Sequence, residues 1–191
     1  MAKRTKGSSF ALREMLDKVR HSSEGVQKNL TGTIKDVKTA ALRGLLQGIV
    51  IVRRDMDESQ PFIPVRNNNM RSGFFVVTYL GEIREGVKPT FNNLAKDAGK
   101  LLQSQIQSLA FAVGKAKEMS EDGKKVVVII GFGAYYASIV HEMIAGPGSA
   151  WPTTIQWTRP GSGPKFLQAA MRKNDAKVKA VVAASIKAAL K

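Results

Sequence analysis

The chain offers few residues that can do chemistry. It has two histidines, His21 and His141, and no cysteine. That removes disulfides and thiolate chemistry and leaves little for a zinc site, which takes about four N, S or O ligands. His141 and Glu142 are adjacent, a poor spacing for joint coordination of one ion. His141 reads instead as a polar residue at a sheet edge or a subunit contact. Asp55, Asp57 and Glu58 form an acidic group that can hold a cation, lie solvated, or meet basic neighbours. Gly131-Phe132-Gly133 follows an apolar run, as a dinucleotide-binding turn does. The third glycine of that motif is missing, and Ala134, Tyr135 and Tyr136 would crowd a pyrophosphate. The glycines read as a sharp strand end, with glycine supplying unusual backbone angles. Ser162 lies between two glycines with no nucleophile elbow around it. The residues therefore point to no catalytic, cofactor-binding or metal-binding site, and the expectation is a protein that is not an enzyme.

Composition sets the frame for what these residues sit on. The chain has 191 residues, 43% of them hydrophobic, enough for one packed domain with appended arms. No apolar run approaches the ~20 residues that span a bilayer, and the basic start, MAKRTKGSS, lacks the apolar core of a signal peptide. A soluble protein, or one built into a particle where it is made, is expected. Net charge is +15 and unevenly spread. Residues 1–54 carry +8, residues 151–191 carry +7, and residues 55–150 are balanced. Cationic ends favour a polyanion or an acidic protein surface, or serve as solvated helix faces.

The elements follow from periodicity and punctuation. Residues 1–8 read as a flexible basic arm with Lys3, Arg4 and Lys6, and Ser8 or Ser9 can cap a helix. Phe10, Leu12, Leu16 and Val19 follow at helical spacing, and Gly25 is placed to break that helix. Val26, Leu30, Ile34, Val37, Ala41 and Leu45 lie on one stripe of a second helix. Ile49 to Val52 can finish that helix or form a strand. Residues 55–73, with Pro61, Pro64 and three asparagines, read as loop. Residues 74–80 read as a strand, and residues from Leu94 to about Met119 as a helix. Asp122-Gly123 marks a turn. Val126 to Ile130 is an apolar run expected to be central in its sheet or buried on both faces. A Gly/Pro-rich loop over 144–163 carries Trp151 and Trp157. Pro164 opens a last helix, continuous or restarting near Asp175. The fold expected is α+β. An antiparallel sheet of 74–80 and 126–133 is covered by the helix of 26–46 and the helix after Pro164. Residues 9–191 form one domain, with a helical insertion around 90–119.

The segment from Gly131 to Asn174 is the most specific part of the chain. It reads GFGAYYASIVHEM, then the Gly/Pro loop, then PKFLQAAMRKN. This order resembles the neck family of long-tailed bacteriophages: tail-completion, head-tail connector and minor capsid proteins. There a strand runs into a Tyr-Ala segment with a short polar end. A loop then leads to a Pro-Phe-Leu-like helix start and a basic C-terminal helix. Here Lys165 separates Pro164 from Phe166. Upstream, Pro61, Pro64, three asparagines and Met70-Arg71-Ser72-Gly73 resemble the family's proline, turn and Leu-Arg-x-Ser element, without its Thr-Gly. Residues 82–124 exceed the usual link between strands.

The resemblance implies a structural virion protein, made in the host cytoplasm and built into the neck as a ring of six or twelve copies around the DNA channel. Its partners would be itself and other neck, portal or tail proteins. No cofactor and no membrane are implied. On that reading Tyr135, Tyr136, Trp151, Trp157 and Phe166 are candidates for subunit contacts, since aromatic residues bury much area with few rotors. Lys3, Arg4 and Lys6 are candidates for contact with DNA or an acidic partner. A second reading, from charge alone, is a free, architectural nucleic-acid-binding protein. The aromatics are not interleaved with the basic clusters as stacking platforms would be.

Overall fold

A computed structural model describes residues 7–64, 68–91, 97–142 and 159–191, with side chains described from residue 14. Helix α1 is Gly7–Glu58, a single helix of 52 residues and about 78 Å. Gly25 does not interrupt it, and neither does the run of β-branched residues at 49–52. That run is settled by burial: Val52 is 4% exposed and Ile49 packs on the same core, so a tertiary partner decides what periodicity left open. Helix α1 also absorbs residues 55–58 of the expected loop.

A short helix, α2 (Asn69–Ser72), turns the chain into strand β1 (Phe74–Thr78). Gly81, at φ 78°, lets the chain reverse into β2 (Ile83–Glu85), and the Thr78 amide donates to the Glu82 carbonyl at 2.9 Å. Helix α3 (Ala98–Met119) follows, then a turn in which Glu121, Asp122 and Gly123 all have positive φ, then β3 (Val128–Phe132). Helix α4 (Ala137–Glu142) and helix α5 (Phe166–Ala189) complete the described residues. Helix α5 runs unbroken past Asp175.

The architecture is α+β: a three-stranded antiparallel sheet, order β2-β1-β3, packed with helices. Every residue of β1 is buried, and β1, not β3, is the central strand. Of the two expectations for 126–130, a central place in the sheet is corrected, and coverage on both faces is what the structure shows. Strand β3 reads as continuously apolar because helices cover both faces of so small a sheet. Phe74, Val76, Val128, Ile130 and Phe132 pack toward α1 and α5. Phe75, Val77 and Ile129 pack toward Leu109, Ala112 and Ala116 of α3. The stretch expected as an insertion thus supplies the second covering layer.

Helices α1 and α5 meet closely where α1 has no side chains. A Cβ at Gly44 would lie 2.7 Å from the Val182 backbone, and one at Gly48 the same distance from a Val178 methyl. Gly44 faces Val182 and Gly48 faces Val178, so the helices are antiparallel. On α1, burial begins near Val37 and Ala40, and residues 14–36 are exposed throughout. At the root of that free length the Lys38 ammonium donates to the Gly123 carbonyl at 2.7 Å, tying α1 to the turn before β3.

Candidate assembly surface

The segment that carries the family resemblance is built around the end of β3. Gly131 and Gly133 have ordinary negative-φ backbones, so unusual angles are not why glycine stands there. Space is the reason. A Cβ at Gly131 would lie 2.7 Å from the Phe75 ring, and one at Gly133 2.8 Å from the Gln105 Cα. Gln105, 1% exposed, packs against this turn and donates from Nε2 to the Gly86 carbonyl at 2.9 Å. The Gly133 amide donates to the Gly73 carbonyl at 2.8 Å, which joins this turn to the end of α2.

After Ala134 the chain becomes helix α4, so His141 sits on a helix and not at a sheet edge. The Lys165 amide donates to the His141 carbonyl at 2.8 Å, and the Lys165 ammonium pairs with Glu142. The Phe166 ring meets Phe132 edge-on at 5.3 Å and His141 at 5.2 Å. The end of α4 and the start of α5 are thus clamped together. Lys165, the residue that departs from the family pattern, caps α5 at φ 57°. Hydrogen bonds from Lys165 and then His141 hold the Glu142 carboxyl below its usual range.

A second clamp lies on the C-terminal side of 143–158. The Phe62 amide donates to the Gly161 carbonyl at 3.1 Å, and Phe62 bridges Ser162 in parallel. The Arg159 guanidinium covers the Phe62 ring at 3.8 Å and donates to the Asp57 carbonyl at 2.8 Å. Ser162 is buried here as a backbone partner. The acidic group of α1 meets basic neighbours: Asp55 pairs with Lys173 at 2.8 Å, Asp57 with Arg71 at 2.9 Å and Glu58 with Arg54 at 2.8 Å. Burial penalises the Asp55 charge, yet hydrogen bonds from Lys173, Ser59 and Asn174 outweigh it and lower its pKa. Burial lowers the pKa of Arg53, whose guanidinium covers Phe74 at 4.7 Å. Among the described residues no group of His, Asp or Glu is arranged to hold a metal ion.

The candidate contact residues have different fates. Tyr135 is 39% exposed; its hydroxyl donates to Asp97 at 2.8 Å, and the Lys100 ammonium lies 4.0 Å from its ring centre. The bond to Asp97 raises its pKa, while burial raises that of Tyr136, which packs on the main core. Phe166 is 1% exposed and belongs to the core of the chain, so it is not free for the contact role expected of it. Trp151, Trp157, Lys3, Arg4 and Lys6 lie outside the described residues.

Two exposed apolar surfaces went unnoticed in the sequence. One is the outer length of α1. The other borders a cleft of about 470 Å³ between α3 and β3, lined by Phe75, Phe111, Ala112, Ile129 and Phe132. Phe111 is 73% exposed there. Its helical spacing looked no different from that of the buried Leu109, and only the position of the sheet separates them.

No protein-family model, no curated protein and no solved structure matches the chain. No helix among the described residues is long and apolar enough to cross a membrane.

Proposed function

We propose that the chain is a structural subunit of a bacteriophage neck, a ring-forming connector or tail-completion protein around the DNA channel. The observation that carries the reading is the clamped unit formed by 131–142 and 162–171. The two halves of the motif that resembles the neck family are distant in sequence. They fold against each other through Phe132, His141, Lys165 and Phe166. The exposed apolar surfaces of α1 and α3 also suit a subunit of an assembly better than a lone domain. The test is replacement of Trp151 and Trp157 by Ala, singly, in an assay of head-to-tail joining. A folded protein that no longer joins heads to tails supports the reading. Normal joining by both variants rejects those tryptophans as the contact, and unfolding of both marks them as core.

One observation favours the nucleic-acid-binding reading. Arg172, Lys177, Lys187 and Lys191 are exposed on or just after α5, without an ion-pair partner among the described residues. A row of this kind suits a phosphate backbone. Within the neck reading it faces DNA in the channel; in the alternative it binds free duplex. Tight binding of free DNA by a monomer or dimer, weakening steeply with salt, selects the alternative.

A further inference from the structure

We propose that the exposed shaft of α1, residues 14–36, is a self-association surface that packs along the same shaft of other copies, as a parallel bundle of three or more helices. The inference goes beyond the neck reading and does not depend on it.

The shaft needs a partner. Gly7 to Asp36 extends about 45 Å beyond the part of α1 that α5 covers. It contains Ser22, Ser23, Gly25, Thr31, Gly32 and Thr33, all weak helix formers, with glycine costing about 1 kcal/mol each relative to alanine. A solitary helix of that composition is marginal in water; packing of an apolar face is what stabilises such helices. The face exists. Leu16, Val19, Val26 and Leu30 are between 59% and 63% exposed, and Ile34 is 46% exposed. By helical phase this stripe continues the side that bears Gly44 and Gly48, where α5 packs. It is therefore a packing face whose inner part is occupied and whose outer part is open.

Charge and seam chemistry identify the occupant. Residues 14–36 hold Lys18, Arg20, Lys28 and Lys35 against Glu14, Asp17, Glu24 and Asp36, a net charge of zero. Several pair along the helix, Lys18 with Glu14 at 3.0 Å and Arg20 with Glu24 at 3.4 Å. The basic excess of the N-terminal third thus lies outside the shaft, which offers nothing special to a polyanion. Leu16, Val19, Ser23, Val26, Leu30, Thr33 and Val37 are spaced by alternate steps of three and four, a heptad seam. Met15, Ser22 and Asn29 flank one side of it, and Arg20, Gln27 and Ile34 the other. Copies in parallel register therefore bring no like charges together across the seam. Leu16 and Leu30 at the first core position, with the β-branched Val19, Val26 and Thr33 at the second, favour more than two strands.

The test uses the full chain at micromolar concentration, with mass read by sedimentation. The wild type is expected as a complex of three or more copies. Val26→Lys with Leu30→Lys should weaken association about a hundredfold or more, since two seam side chains are lost from each copy. The midpoint of the core's urea melt should not move, because neither residue touches the core. His21→Lys with Thr31→Lys adds the same charge to the opposite side and should leave the mass unchanged. Because the chain has no cysteine, Ser23→Cys reports register directly: oxidation should link copies through residue 23, and His21→Cys should not link. A monomeric wild type, or an unchanged mass for the Val26/Leu30 variant, overturns the proposal. Assembly that persists with no link at residue 23 overturns the parallel arrangement.

Discussion

Replacing Gly44 by alanine pits two effects of known sign against each other. In a helix interior the change gains about 1 kcal/mol of propensity. The new Cβ, however, would lie 2.7 Å from the Val182 Cα, with the Ser185 Oγ at 3.1 Å. Carbon atoms rest at about 3.5–4.0 Å, so α5 must retreat by about 1 Å at that point. The obstacle is backbone, which no rotamer change relieves. Overpacking of this kind costs about 1–3 kcal/mol, and the loosened contact extends to Val178 and Asn174. The net expectation is a change between about zero and 2 kcal/mol of destabilisation, a fall of up to about 8 °C in Tm for a chain of this size. Gly48→Ala should be milder, because it meets Val178 methyls, and Val178→Ala should partly rescue it in a double-mutant cycle. Gly25→Ala and Gly32→Ala are the controls, since nothing lies within 4 Å of either added carbon. They should raise the helical signal at 222 nm and leave the core's melt where it is. Urea and thermal melts of the four variants decide the matter. A Gly44→Ala protein more stable than the wild type by the full propensity gain of about 1 kcal/mol would refute the close packing of α1 on α5.

Other outcomes follow from single contacts. Phe166→Ala should cost about 3–5 kcal/mol in a urea melt, the loss of a buried aromatic from the core rather than from a contact surface. Gly133→Ala should destabilise by about 1–3 kcal/mol, and Gln105→Ala should restore only part of that, because the Gln105 backbone also stands 2.8 Å from the added carbon. Asp55 has a lowered folded pKa, so its contribution is present above its unfolded pKa of about 3.9 and is lost as pH falls through the folded value. Lys173→Met should remove about 1 kcal/mol or less at neutral pH, since Lys173 is half exposed, and should flatten the acid limb of a stability-versus-pH curve.

Much of this fold could be read from residue patterns, and the failures have physical causes. Phe74–Thr78, Val128–Phe132 and the turn at Asp122-Gly123 were legible because β-branched and aromatic runs and Asp-Gly pairs act locally. The continuity of α1 was not. Gly25 looks like a stop, but its cost is small beside what a long helix gains elsewhere, and what it gains is invisible locally. The rank of β3 in the sheet stayed open because an apolar run records coverage of both faces, which helices supply as well at an edge as at the centre. The role of Phe166 was misread for a related reason. An aromatic residue after a Gly/Pro-rich loop looks alike whether it faces a neighbour or its own strand, and only Phe132 opposite it decides. Strand β2 escaped notice because three residues, two of them charged, carry no period; as an edge strand it is shielded by those charges.

The pairing of α1 with α5 also sets a timetable. Gly44 is made early and Val182 late, so the inner face of α1 waits for about 140 residues of further synthesis, roughly 7–28 s at bacterial and eukaryotic elongation rates. During that wait Val52 and Met56 have no lid, and a ribosome-bound chain leaves the stripe from Leu16 to Gly48 uncovered. Nascent neighbours on the same message carry the same face. Which helix arrives first is then a question of translation rate as well as affinity. Rare codons between α3 and α5 would lengthen the exposure without altering a single residue.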